Sequence, residues 1–171
     1  MTHPSRWFAA LGVVSALAAA SPAAADQMVI KFPGQHPDYF FEAEPHAILA
    51  PRHDPFPPGL GFRGTIELVD NGFVSSINNT VGLTFGADWH AHGVWIPIAM
   101  QWNFWLSRNW SVFGEPGVAI RAGEGFDGHK PNNGIEWLAI WVGGRFHFTD
   151  KITLTMRVGT PTLSVGVSFL L

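Results

Sequence analysis

Apolar and polar residues alternate with a period of two through the C-terminal half of the chain. From Leu163 to Leu171, every odd position holds leucine, valine or phenylalanine, and serine or glycine fills most of the positions between them. Between Lys151 and Gly159, isoleucine, leucine, methionine and valine alternate with threonine and arginine. This period indicates β-strands whose two faces have different surroundings, and it is incompatible with the period of about 3.6 of an amphipathic helix.

The same alternation, followed backwards along the chain, predicts eight strands. They cover residues 44–50, 60–68, 81–88, 94–106, 110–121, 137–148, 151–159 and 163–171. Most are close to the length of about nine to eleven residues that a tilted transmembrane strand requires. An even number of strands joined in succession is typical of bacterial outer-membrane barrels. The predicted fold class is therefore all-β, an eight-stranded antiparallel up-and-down transmembrane β-barrel.

The composition predicts that much of the protein surface is not in contact with water. Hydrophobic residues make up 47% of the chain and charged residues 13%, whereas soluble domains carry about 25% charged residues. The net charge of −3 gives no reason to expect a nucleic-acid partner. The absence of cysteine excludes disulfides, thiolate metal sites and cysteine nucleophiles.

The first 25 residues have the pattern of a secretory signal. Arg6 precedes an apolar run over 7–20, and small residues occupy the positions before Asp26. The run is too short for a comfortable membrane-spanning helix of about 20 residues. We expect cleavage after Ala25, a periplasmic lead-in segment over 26–42, a barrel over 43–171, and location in the outer membrane of a Gram-negative bacterium.

Charged residues collect on one face of the predicted strands. This face carries four acids and four arginines: Glu44, Arg63, Glu67, Asp88, Glu115, Arg121, Arg145 and Arg157. A charge facing lipid near the bilayer centre costs about 2–4 kcal/mol, so this face is expected to point inward. Because an eight-stranded barrel is just wide enough for side chains to fill, the sequence predicts an interior polar network of salt bridges and no open pore.

The connections define the expected orientation. With the N-terminus in the periplasm, 51–59, 89–93, 122–134 and 160–162 face outward, and 69–80, 107–109 and 149–150 face the periplasm. Residues 69–80 are long for a periplasmic turn. The apolar face carries aromatic residues near the inferred periplasmic ends, which fits an interfacial girdle. These are Trp102, Phe104, Trp110, Phe146 and Phe148.

The alternating strands and the final segment 165–171 resemble small outer-membrane β-barrel proteins, of which the membrane domain of outer membrane protein A is the broad type. The stretches 101–105 and 141–146 are similar to uncharacterised myxobacterial-type barrel proteins. The resemblance implies outer-membrane lipid and the barrel-assembly machinery as partners. From the alternation and the self-neutralising polar face we expect a monomer without a cofactor or catalytic residue, with a structural or surface-interaction role through its outer loops. In such families the last strand often ends in an aromatic residue; here Phe169 precedes Leu171 by two positions.

Two other functions fit parts of the sequence. Residues 130–136 resemble part of the lipid A deacylases, but the decisive His-x-Ser pair is absent, and the nearest substitute is His147 with Thr149. A soluble periplasmic carrier similar to the lipocalins would place the apolar face inside, around a ligand. Period two alone does not distinguish these orientations.

A possible metal site lies where the third predicted strand ends. Asp88, His90 and His92 would share one face if that strand continued. Imidazole and carboxylate groups are suitable zinc ligands. A spacing of two has low specificity, however, and we expect these residues to be polar side chains near the outer rim.

Overall fold

The computed structural model describes residues 27–49, 59–90, 93–123, 133–159 and 163–171. They form one closed antiparallel barrel, in which each strand pairs with its neighbours in sequence and β1 pairs with β8. The strands are β1 (Phe41–Leu49), β2 (Gly59–Val69), β3 (Asn79–His90), β4 (Gly93–Trp105), β5 (Trp110–Gly123), β6 (Gly134–His147), β7 (Ile152–Gly159) and β8 (Leu163–Leu170). The predicted fold class is confirmed.

Several predictions fall on residues outside this description. The predicted signal over 1–25 is one, and most of the predicted outer connections are others. Among the described residues, no helix is long and apolar enough to cross a membrane.

The observed strands agree with the predicted ones to within about three residues, and two differences affect the interior. β1 begins at Phe41 instead of Glu44, which adds Glu42 to the barrel wall. β6 begins at Gly134 instead of Trp137. In both cases the added residues continue the ladder with a neighbouring strand.

A bulge in β6 makes the prediction for Trp137 wrong. The alternation placed Trp137 on the polar, inward face, but its side chain is 75% exposed. The register between β5 and β6 shifts because Gly117 pairs with Ala139 whereas Ala119 pairs with Glu136. One extra residue on β6 interrupts the alternation, as β-bulges do, and both Trp137 and Leu138 are exposed.

For Val81 the alternation gave the correct face but the wrong exposure. Its place in the alternation put it on the lipid-facing side, yet it is buried. The connection between β2 and β3 covers it, since a Cβ on Gly72 would lie 3.1 Å from Val81 Cγ2.

The outer surface of the barrel is apolar, and its interior is mainly polar apart from a buried cluster of Trp95, Ala99, Ala119, Ala139 and Trp141. Exposed positions on the strands include Leu60, Leu83, Ile96, Ile98, Val112, Ile140, Val142, Met156, Val165, Val167 and Phe169. The alternating positions carry buried charged and hydroxyl side chains. A lipocalin-like carrier requires the opposite arrangement, so the observed faces do not favour the alternative of a soluble carrier with an apolar interior.

Aromatic side chains form contacts around the end of the barrel that carries the β4–β5 and β6–β7 connections, here called the inner end. Ring centroids lie 5.0 Å apart for Trp102 and Phe104 and 5.0 Å apart for Trp110 and Phe146. Phe148 lies 5.2 Å from Phe146. The five aromatic residues predicted near the periplasmic ends therefore do lie at one end.

Residues 27–40 cross the inner end and are here called the strap. The Val29 amide donates to the carbonyl of Leu106 at 3.0 Å, and the strap carbonyl of Ile30 accepts from the Asn78 amide at 2.7 Å. Val29 and Tyr39 belong to a buried cluster with Trp105 and Leu170. The strap thus covers the inner opening with apolar side chains.

The strap also gives a reason for the length of the connection between β2 and β3. Asn78, at the end of that connection, bonds to the strap through its amide group and through its side chain, which donates to the Gln35 carbonyl at 2.9 Å. His36 stacks on Trp105 at 5.4 Å and bonds through its ring to the Asp70 carbonyl at 3.1 Å. A two-residue turn would supply none of these partners.

Two glycines in the wall differ in how much room they leave, and they make a matched test. A Cβ on Gly86 would overlap the Phe62 carbonyl oxygen and lie 3.1 Å from Arg63 Cα, both backbone atoms, whereas nothing lies within 4 Å of a Cβ on Gly114. We expect Gly86→Ala to lower the free energy of unfolding by about 1–3 kcal/mol. Gly114→Ala should change it by less than about 0.5 kcal/mol. Urea unfolding in lipid vesicles, followed by tryptophan fluorescence, measures both; equal effects would contradict the close approach of β2 and β3 at Gly86.

Candidate functional site

The interior of the barrel is the candidate site, because polar side chains from all eight strands meet there. The larger ones are each no more than 5% exposed: Glu42, Glu44, His46, Arg63, Asp88, Gln101, Asn103, Glu115, Arg145, His147 and Arg157. They reach the interior because the period of two places every second side chain on the inward face. All of them except His147 form three groups along the barrel.

The central group surrounds Arg157. Its guanidinium donates to Glu44 through Nη1 at 2.6 Å and Nη2 at 2.9 Å, and to Glu115 through Nε at 3.0 Å and Nη2 at 3.2 Å. Gln101 donates a further hydrogen bond of 2.9 Å to Glu115. Two carboxylates from β1 and β5 therefore share one arginine from β7.

A second group lies towards the outer end. Arg63 holds Asp88 in a two-pronged ion pair with distances of 2.7 and 2.8 Å. His46 Nε2 lies 3.0 Å from the same carboxylate. The guanidinium carbon of Arg63 lies 5.6 Å from the centre of the Trp141 ring, within the range of a cation–π contact.

The third group lies towards the inner end. Arg145 donates to both oxygens of Glu42 at 2.8 and 2.7 Å and to Asn103 at 3.1 Å. The ring of Phe113 lies 4.4 Å from the Arg145 guanidinium carbon. Glu42 was missing from the predicted set because the predicted first strand began at Glu44. The acids and histidine at 42, 44 and 46 are a period-two signal that would have identified it.

The other two residues of the predicted set lie near the ends of the barrel. Arg121 lies 3.8 Å from Glu136 and both side chains are partly exposed, at 22% and 39%. Glu67 lies near the inner end, where the Tyr39 hydroxyl bonds to it. Burial and the nearby Glu42 raise the pKa of Tyr39, so this hydroxyl keeps its proton and donates it. Six of the eight predicted residues thus lie in the three buried groups, and two lie outside them.

A serine and a histidine meet in the interior without the geometry of a hydrolase. Ser111 Oγ lies 3.0 Å from His147 Nε2, and both residues are buried. The other ring nitrogen of His147 has no hydrogen-bond partner among the described residues. A hydroxyl nucleophile requires a base held by a third group, and this pair has neither that group nor contact with solvent.

The pair of His147 with Thr149 that would have substituted for the deacylase motif does not form. Thr149 Oγ1 instead accepts hydrogen bonds from the amides of Lys151 and Ile152, at 3.2 and 3.0 Å. These bonds stabilise the turn between β6 and β7.

The structure also changes the interpretation of the possible metal site. Asp88 is engaged by Arg63 and His46, and His92 lies outside the described residues. In the part of the chain that the structure describes, no three histidine, cysteine or acidic side chains form a group that could hold a metal ion.

Comparison with known proteins supports the fold alone. No protein-family model matches the chain, and no curated protein sequence matches it. The de novo designed protein TMB2.3 superposes with a TM-score of 0.55 at 12% identity, covering 80% of this chain and 98% of the other. The outer membrane protein Ail of Yersinia pestis, determined in a phospholipid bilayer nanodisc, superposes with a TM-score of 0.52 at 12% identity, covering 78% and 100%. A designed transmembrane β-barrel gives 0.50 at 12% identity, covering 83% and 99%. The chain therefore has the fold of eight-stranded transmembrane barrels.

The burial of Arg157 leads to a direct prediction. Replacing Arg157 with Met leaves Glu44 and Glu115 without their shared cation, and we expect a loss of about 3–5 kcal/mol in the free energy of unfolding. Arg121→Met removes a partly exposed pair with a longer distance of 3.8 Å and should cost less than about 1 kcal/mol. Urea unfolding of both variants in lipid vesicles makes the comparison. Similar small losses would show that the interior ions do not depend on Arg157.

Proposed function

We propose that the protein is a monomeric barrel of a Gram-negative outer membrane, closed by its own side chains, that acts through envelope structure or through contacts of its outer loops. The observation that carries this proposal is the combination of an apolar exterior with an interior of paired charges. This combination suits a barrel surrounded by lipid and requires no ligand to fill it.

The exterior supports a membrane location. Exposed apolar side chains occupy the outward positions of all eight strands, and a contiguous apolar surface of this kind is rare on soluble monomers. Closure between β1 and β8 leaves the sheet without an edge strand, which satisfies the requirement that backbone polar groups be paired within lipid. The predicted export signal over 1–25 agrees with this location.

The orientation follows from the strap and the aromatic contacts at the inner end. The strap comes directly after the predicted signal, so the inner end is assigned to the periplasm. The aromatic rings around it then lie at the level of the inner leaflet headgroups, where such rings form girdles. The outer connections face the exterior of the cell, which is where we place surface contacts.

The finer resemblances belong to the same proposal. A relation to the membrane domain of outer membrane protein A or to myxobacterial-type barrels would imply insertion by the barrel-assembly machinery. Phe169, on the outward face of β8, is the candidate for the aromatic residue that this machinery recognises.

Electrophoretic mobility tests the membrane barrel. In washed outer membranes, unboiled protein should migrate faster than boiled protein, because a folded barrel remains compact in detergent until it is heated. Release of the protein into the soluble periplasm without a mobility shift would contradict the proposal.

Conductance tests the closed interior. Purified protein in planar bilayers should give no steady unitary current, because paired ions from β1, β2, β3, β5, β6 and β7 occupy the interior. A porin in the same bilayers serves as the positive control. Reproducible current steps that scale with the amount of protein would contradict a closed barrel and indicate a pore.

A further inference from the structure

The buried ions of the interior do not balance if arginine is the only cation. Among the described residues, four carboxylates are enclosed, those of Glu42, Glu44, Asp88 and Glu115, and three guanidiniums, those of Arg63, Arg145 and Arg157. Two of the arginines each hold one acid, and Arg157 holds two. With arginine as the only cation, the enclosed ions therefore carry a net charge of −1, and an unbalanced charge enclosed away from water is costly.

His46 is placed to supply the missing charge. Its side chain is fully enclosed, with Nε2 3.0 Å from Asp88 Oδ1 and Nδ1 3.5 Å from Glu44 Oε1. Nδ1 also lies 3.3 Å from the Glu44 carbonyl oxygen. The carboxylate and carbonyl oxygens around the ring are all hydrogen-bond acceptors. A neutral imidazole has one N–H to offer, whereas an imidazolium has two, and two are needed here.

The two strands that pair with β1 leave space for the His46 ring. His46 pairs with Gly61 on β2 and with Gly166 on β8. A Cβ on Gly61 would overlap His46 Nε2, and a Cβ on Gly166 would lie 2.6 Å from His46 Cβ. Both neighbouring strands therefore have no side chain at the level where β1 carries a histidine.

The charged and polar groups around His46 come from several strands. Asp88 comes from β3 and is also held by Arg63 of β2. Glu44 lies on β1 itself and is held by Arg157 of β7, with Ser168 of β8 at 3.4 Å. Within the described part of the chain, the ring therefore faces two acids, and the cations nearby are already paired with those acids.

We propose that His46 is the fourth cation of the barrel, so that a proton held between Asp88 and Glu44 is a structural component of the folded interior. The proton joins the outer ion group to the central one and brings the enclosed charge to zero. The proposal does not depend on the cellular role of the barrel.

The ring nitrogens give a direct readout. We expect ¹⁵N NMR of the folded protein in detergent micelles at neutral pH to show both His46 nitrogens protonated. His147 is the internal reference, because it is also buried but bonds to the Ser111 hydroxyl instead of to a carboxylate. A His46 ring with one unprotonated nitrogen would overturn the proposal.

A charge-rescue experiment tests the balance without spectroscopy. His46→Gln should raise the unfolding equilibrium constant by roughly a hundredfold, since it leaves one acid uncompensated. Adding Glu115→Gln removes one negative charge while Arg157 keeps Glu44, so the double variant should recover most of that loss. If His46→Gln does not fold, recovery of the electrophoretic mobility shift in the double variant is the same test.

The matched control is His147→Gln, alone and with Glu115→Gln. No recovery is expected there, because His147 does not contribute to the charge count. Rescue of His46→Gln but not of His147→Gln supports a balancing charge at His46. A double variant no more stable than His46→Gln itself would overturn the proposal.

Discussion

Arg157 lies where water does not reach, and its charge is compensated by carboxylates from two other strands. Glu44 and Glu115 belong to β1 and β5, while Arg157 belongs to β7. These contacts cross the interior between strands that are not neighbours in the sheet. A slip of one residue in any of these strands would turn its charged side chain towards the exterior. The ion groups therefore specify the register of the wall at the same time as they fill the space within it.

The strand pattern was predictable because one physical requirement acts at every position of the wall. Each residue faces either an apolar or a polar environment, and the choice alternates. The alternation gave the wrong face for Trp137, because a bulge adds a residue that nothing in the composition reveals. It gave the correct face for Val81 but the wrong exposure, because a connection covers the wall there. The position of the strap could not be predicted from the sequence, for a different reason. Its position depends on Asn78, Leu106 and Trp105, whose contacts exist only once the strands have met.

The interior was predictable in its composition but not in its pairing. Charge patterning identified six of the residues that are buried in the three groups, since arginines and acids on one face require burial away from lipid. Which acid each arginine holds depends on the tilt and register of the closed sheet. Arg145 bonds to Glu42, although 103 positions separate them. His46 continues the period of two of Glu42 and Glu44, but its surroundings could not be predicted, because Asp88 and the two glycines that face it come from other strands.

The pairing of β1 with β8 also has a kinetic consequence. Glu42 lies opposite Leu170 where these two strands pair. During folding, β1 therefore has a paired strand on only one side until β8 is in place. Closing so large a loop brings an entropic cost before any contact between β1 and β8 forms, and folding dominated by such distant pairings is slow. During that interval the free edges of β1 and β8, with their apolar faces, are open to pairing with other chains. The time before closure is therefore when this molecule is most vulnerable to aggregation.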